Sequence, residues 1–283
     1  MSGNVLFDSP GPKTVLRHRI YTLVASAALL GLLTWFVLGL HEDGQFEYDK
    51  WEPFLTPAYL EVLLVDGLLK TLQMAFVAIL AAVVYGTVFG IGKLSDHALI
   101  RWPSALVVEF FRATPVLLLM IFIWYALGIS KESSSYWAVV IALTLYNGSV
   151  LAEVLRAGIN AVPKGQSEAA YALGMRKTQV MSTILLPQAV KIMLPAIISQ
   201  CVVALKDTAL GYAVVAPGLT RVGKAIYQEF DNQIPTMAVI ALLYIVVNLL
   251  LTLLATWAQK KFVGEKKPLE VSMVGIVDDG RAV

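Results

Sequence analysis

Uncharged apolar runs recur along this chain at lengths that fit a bilayer. A helix needs about 20 predominantly apolar residues to cross the hydrocarbon core. Residues 20–40, 71–92, 113–130, 133–152 and 232–259 meet that scale. Residues 192–205 form a shorter run, bounded by Lys191 and Lys206 and disturbed by Pro187 and Pro195, which reads as a span with irregular ends. The pattern predicts an all-α membrane protein with six transmembrane helices. The first run is longer than the apolar core of a signal peptide and no A-x-A-like site follows it, so it is expected to be retained.

The charges between the runs orient them. Lys13, Arg17 and Arg19 precede the first run, and Lys93 and Arg101 separate the second from the third. Arg156, Lys164, Arg176, Lys177 and Lys191 lie between the fourth and fifth, and Lys260, Lys261, Lys266 and Lys267 follow the sixth. With six spans all of these fall on one side, which the positive-inside rule makes the cytoplasm. Glu42, Asp43, Glu47, Asp49, Glu52, Glu61 and Asp66 then lie outside. The expectation is a multi-pass protein of the cell membrane with both termini cytoplasmic. Residues 1–65 form a cytoplasmic segment, an extra helix and an acidic outer loop, residues 66–261 a transmembrane domain, and residues 262–283 a cytoplasmic tail, expected to be disordered after Lys267. Residues 211–231, rich in turn signals, read as an outer loop or short helix.

Composition narrows the classes. The chain is 58% hydrophobic with a mean hydropathy of +0.71, against about 45–50% apolar in soluble domains. A net charge of +2 gives no footprint for nucleic acid. The single Cys201 excludes an internal disulfide or a thiolate-rich metal site, and His18, His41 and His97 are far apart. No metal site and no catalytic array is expected. The stretch Gly86-Thr87-Val88-Phe89-Gly90-Ile91-Gly92-Lys93-Leu94 fails as a Walker A loop, having Thr87 where Gly is needed and Leu94 where Ser or Thr is needed. Gly86 and Gly90 instead form a small-xxx-small face for close helix packing. If ATP drives this protein, another chain binds it.

A polar island, Glu168-Ala169-Ala170-Tyr171-Ala172-Leu173-Gly174, sits between the fourth and fifth runs, with Ile184-Leu185-Leu186-Pro187 downstream. Pro163 and Gly165 are expected to interrupt the preceding helix. Glu168, Ala169 and Ala170 favour helix again, and Gly174 can stop it in a left-handed cap. The result would be a short helix along the membrane surface.

Charges near the membrane interior are costly, about 2.5–3.5 kcal/mol at the centre on insertion scales, and tend to face a cavity or a partner. Glu109 and Arg112 precede Ala113-Thr114-Pro115, Glu153 and Arg156 close the fourth run beyond Asn147, and Lys206, Asp207 and Thr208 end the fifth. Glu109/Arg112 and Glu153/Arg156 are spaced i,i+3 and read equally as interfacial pairs. Pro115 removes a donor and can kink the third helix, baring backbone to a cavity. Such a break can hold the carboxylate and ammonium of an amino acid. Arg112, Thr114, Asn147, Glu153, Lys206, Asp207 and Thr208 are therefore candidates for a substrate path, with structural pairing between helices as the competing role.

From about residue 66 to 261 the chain resembles permease subunits of polar amino-acid ABC importers, the branch handling histidine, arginine, glutamine and glutamate. The resemblance rests on the Glu-Ala-Ala, three residues, Gly, nine residues, Ile-x-Leu-Pro spacing and on five further stretches. These are Gly67-Leu68-Leu69-Lys70-Thr71-Leu72, Val108-Glu109-Phe110-Phe111-Arg112-Ala113-Thr114-Pro115, Leu151-Ala152-Glu153-Val154-Leu155-Arg156-Ala157-Gly158-Ile159, Val162-Pro163-Lys164-Gly165-Gln166 and Leu205-Lys206-Asp207-Thr208-Ala209-Leu210. Ala113 stands where the family usually has Gly, and Ala209 where it has Ser. The resemblance implies a five-helix permease core preceded here by one extra helix, as in the glutamate-importer permeases of actinobacteria. It implies that Glu168, Ala169, Ala170 and Gly174 couple the chain to ABC ATPase subunits, which would carry ATP and Mg. It further implies a second permease subunit (a sibling or a second copy), an extracytoplasmic amino-acid-binding protein and surrounding membrane lipid, with no cofactor on this chain. The alternative is an ion-coupled secondary transporter acting without an ATPase.

Overall fold

The computed structural model describes residues 11–128 and 132–263, and every regular element among them is helical. In chain order these are α1 (Pro12–Glu42), α2 (Tyr48–Trp51), α3 (Pro57–Val62), α4 (Lys70–Lys93), α5 (Ala98–Ala113), α6 (Val116–Leu127), α7 (Glu132–Asn160), α8 (Lys164–Ala172), α9 (Lys177–Gln179), α10 (Leu186–Asp207), α11 (Leu219–Phe230) and α12 (Gln233–Val263). Short 3-10 and π turns join several of them. The tail expected beyond Val263 lies outside the described residues.

Among the described residues, five helical stretches are long and apolar enough to cross a membrane: Lys13–Glu42, Pro57–Lys93, Ser133–Asn160, Lys177–Val214 and Gln233–Lys261. Where a sixth, unbroken span was expected, the structure has a bent pair of helices. α5 and α6 meet at 103° across Thr114 and Pro115, so residues 113–128 are not the single helix that their apolar run suggests. The cause is local: Thr114 is extended ahead of the proline, at ψ 127°, and Pro115 is itself non-helical at ψ 126°. The 12 residues of α6 rise about 18 Å, well short of the roughly 30 Å hydrocarbon core. The count of crossings rises from five to six if α5 and α6 together form one.

The described chain divides into two compact units. The first runs to Leu60 and includes Ala225–Ala238. Within it the Lys50 ammonium donates to the Asp231 carbonyl at 2.7 Å, and the Asn232 amide donates to the Lys50 carbonyl at 2.7 Å. The rings of Tyr59 and Phe230 meet edge to face at 5.1 Å. α1 is apolar and unburied through its membrane-length window, as a helix facing hydrocarbon should be.

The second unit holds Glu61–Lys224 and the chain from Val239 onward. Its centre is the parallel pair α4 and α7. A Cβ at Gly86 would stand 2.7 Å from Leu151 Cβ and 2.9 Å from the Gly148 carbonyl oxygen, and one at Gly90 would stand 2.8 Å from Leu155 Cδ2. The small-residue face foreseen at Gly86 and Gly90 therefore brings two backbones into contact. Met74, Ala78, Leu119, Met120, Val139, Leu143 and Val214 bury together at one end of this pair. At the other end Leu155 and Ile159 of α7 bury with Ala189 and Met193 of α10. α10 runs antiparallel to α7, since Gly158 faces Met193 while Asn147 faces Gln200.

Candidate functional site

The polar island folds as α8. Pro163 stands at its N-cap, and Gly165 lies inside its first turn rather than interrupting the preceding helix as expected. Pro163 alone is enough to break the chain there, because it lacks the N–H that would continue α7. Gly174 ends α8 at φ +78°. Its N–H donates to the Tyr171 carbonyl at 2.9 Å, and that of Met175 to the Ala170 carbonyl at 3.2 Å. These two bonds form a Schellman motif, which a glycine in the left-handed region closes without steric cost. Ala170 is buried, whereas Glu168, Ala169 and Leu173 point outward, Leu173 at 83% exposure. α8 is thus a short surface helix offering a carboxylate and an apolar side chain.

Downstream, the Lys177 ammonium pairs with Asp96 at 2.5 Å, fastening the segment after α8 to the turn between α4 and α5. The hydrogen bond from Lys177, and then its charge, hold the Asp96 carboxyl below its ordinary value. Neither residue was expected to pair.

The i,i+3 pairs foreseen at Glu109/Arg112 and Glu153/Arg156 both form, but they are not separate. Lys93, at the end of α4, donates to Glu153 at 2.6 Å and to Glu109 at 3.1 Å. Arg112 bonds both oxygens of Glu109 at 3.2 Å, and Arg156 Nε bonds Glu153 at 2.7 Å. Three cations and two carboxylates therefore tie α4, α5 and α7 together, leaving one positive charge in excess. Arg112, Glu153 and Tyr146 border a groove of about 520 Å3 on this cluster. Each Glu153 oxygen is held by a cation, Oε2 by Lys93 and Oε1 by Arg156. The Thr114 hydroxyl donates to the Phe110 carbonyl at 2.8 Å.

The other candidates lie elsewhere. Asn147 is buried, donates to the Leu143 carbonyl and accepts from Gln200 at 2.5 Å, tying α7 to α10. Thr208 is buried, with its hydroxyl bonded to the Leu205 carbonyl and 3.4 Å from Tyr244 Oη. Gly211, just beyond, approaches Val139, which sits roughly 20 Å along α7 from Glu153 at 1.5 Å per residue. Lys206 is exposed and borders a second groove of about 370 Å3 with Tyr244 and Asn248. Asp207 is half-buried. Arg112 and Glu153 thus come together in one groove, while Lys206 lines another near the opposite end of α7.

Comparison with known proteins places this arrangement. The family model for the inner membrane component of binding-protein-dependent transport systems matches residues 82–264. The chain belongs to that family of membrane permeases. It is 43% identical to the glutamate transport system permease protein GluD of Corynebacterium glutamicum over 226 residues, covering 78% of this chain and 83% of that one. It is 30% identical to the glutamate/aspartate import permease protein GltK of Escherichia coli, covering 70% of this chain and 92% of that one. Its fold is similar to the crystal structure of an amino acid ABC transporter with histidines, at TM-score 0.67 and 30% identity, covering 74% of this chain and 98% of the other. The fold is that of an ABC-importer permease, and the chain is a multi-pass membrane protein.

Proposed function

We propose that this chain is the transmembrane permease subunit of an ABC importer that carries a polar amino acid, with glutamate favoured, into the cell. The observation that carries the reading is α8: a surface helix with a glycine-closed stop, exposing Glu168, Ala169 and Leu173, on a membrane chain whose stretch from Gly86 to Leu94 fails as a Walker A loop. Two partner ATPase subunits, carrying ATP and Mg, each grip the α8 of one permease. Their closure on ATP exposes a central cavity to an extracytoplasmic binding protein, and hydrolysis returns the pair to face the cytoplasm. The cavity is shared with a second permease subunit, either a sibling or a second copy. Both termini are cytoplasmic, as the distribution of Lys and Arg favours. The choice of glutamate is supported by the similarity to GluD and GltK.

An ion-coupled carrier remains the contrasting class, and family membership does not favour it. The test of substrate is competition. Cells expressing the whole transport system take up labelled glutamate, and excess unlabelled glutamate should suppress uptake more strongly than histidine, arginine or glutamine at equal concentration. Stronger suppression by any of those three would reassign the substrate.

A further inference from the structure

α12 carries a polar line on an apolar helix. Tyr244, Asn248, Thr252 and Thr256 recur at four-residue intervals among Leu242, Ile245, Leu249, Leu250, Leu253 and Leu254. Residues four apart lie on one face of a helix, drifting slowly around it. The line from Tyr244 to Thr256 rises about 18 Å, more than half the hydrocarbon thickness. Thr252 donates to the Asn248 carbonyl and Thr256 to the Thr252 carbonyl, each at 2.7 Å. Hydroxyls bonded back in this way are neutral toward lipid.

Two neighbouring groups are not. The Asn248 amide donates to the Tyr244 carbonyl at 2.7 Å, but its side-chain oxygen is buried without a partner among the described residues. Lys206, across the groove on α10, is exposed and forms no ion pair among them. An unpaired amide oxygen and an unpaired ammonium are both costly against hydrocarbon. The groove between them, about 370 Å3, is within the size range of small-molecule sites.

We infer that this face of α12 lines the path of the transported amino acid, with Asn248 offering an acceptor to its ammonium and Lys206 a cation to a carboxylate. The inference rests on the importer reading and extends it to residues on α12 that carry no charge. It places the path at a different groove from the one that the Lys93 cluster borders.

The experiment uses the complete complex, with ATPase and binding protein, in proteoliposomes and a Cys201→Ala background. Single cysteines replace Thr252 and Thr256 on the line, and Leu250 and Leu254 on the opposite face. A charged, membrane-impermeant methanethiosulfonate should modify Thr252→Cys and Thr256→Cys during ATP turnover, and glutamate with its binding protein should slow that modification. Leu250→Cys and Leu254→Cys should stay unreacted. Asn248→Leu should keep assembly while raising the KM for uptake roughly three- to tenfold, as expected for one lost hydrogen bond. Equal reactivity on both faces, reactivity at Thr252 and Thr256 that substrate does not slow, or an unchanged KM in Asn248→Leu would overturn the inference. Absence of ATP-driven uptake by the unmodified complex would instead overturn the importer reading.

Discussion

Lys93 offers the sharpest test of whether the charged cluster is a structural tie. Its side chain is 9% exposed and reaches two carboxylates on two other helices, Glu153 at 2.6 Å and Glu109 at 3.1 Å. Lys93→Met keeps the length of the side chain and removes the charge. Breaking one side of a fully buried ion pair costs about 3–5 kcal/mol, chiefly through the stranded partner. Here each carboxylate keeps an arginine, and Glu109 is 58% exposed, so the loss should be smaller, about 1–3 kcal/mol once solvent screening is counted. At about 2–4 °C per kcal/mol for a chain of this size, 2 kcal/mol lowers the thermal midpoint by roughly 4–8 °C. The assay is size-exclusion chromatography of the detergent-solubilised complex after stepwise heating. The double variant Lys93→Met with Glu153→Gln should lose less than the sum of the single losses, because the two residues share one interaction. A Lys93→Met protein that melts with the native one, or losses that simply add, would refute the tie.

Four further outcomes follow from the geometry. Gly174→Asp places a side chain at φ +78°, a strain of about 1–2 kcal/mol, and should leave membrane insertion intact while reducing ATPase co-purification and uptake; normal values of both would contradict the role given to α8. Gly86→Leu cannot fit against the Gly148 carbonyl and should cost at least the roughly 1–3 kcal/mol typical of overpacking, read as a lower thermal midpoint; full stability would contradict the close α4–α7 contact. The Asp96–Lys177 pair lowers the Asp96 pKa, so its contribution is present above the ordinary carboxylate value and is lost as pH falls through the depressed one. Midpoints of Asp96→Asn and the native protein should therefore converge at acid pH, and a gap that persists there would contradict the pairing. Alkaline phosphatase fused after Gly44 should be active and fused at the C-terminus inactive; activity at the C-terminus would mean an odd number of spans.

Much of this architecture was legible in the sequence because lipid imposes a simple length rule on uncharged runs. Gly174 was legible for a local reason, since a glycine after Glu-Ala-Ala-Tyr-Ala-Leu has few other uses than a left-handed stop. What escaped notice was either masked by charge or non-local. α5 buries Ser104 and Val108 and exposes Leu99, Trp102, Leu106 and Phe110. Arg101, Glu109 and Arg112 interrupt this pattern, so a search for uncharged runs passes over it. Pro115 marked a kink, but no residue type encodes an angle of 103°. Lys93 was read as a topology signal and as the lysine of a failed Walker A stretch, and not as an ion-pair partner, because its partners lie 16 and 60 residues away. Gln200 was missed as the partner of Asn147 for the same reason, with 53 residues between them. Asn248 carried a usable hint, as an amide in the middle of the last apolar run.

The central claim is that this permease moves a polar amino acid only when a partner ATPase turns over. The direct measurement is uptake of labelled glutamate by proteoliposomes holding the purified permease complex, with binding protein outside and nucleotide supplied on the ATPase side. The account predicts uptake with MgATP, none with a non-hydrolysable analogue beyond a single turnover, and no effect of collapsing proton and sodium gradients. Uptake that runs without ATPase subunits and stops when an ion gradient is dissipated would contradict it.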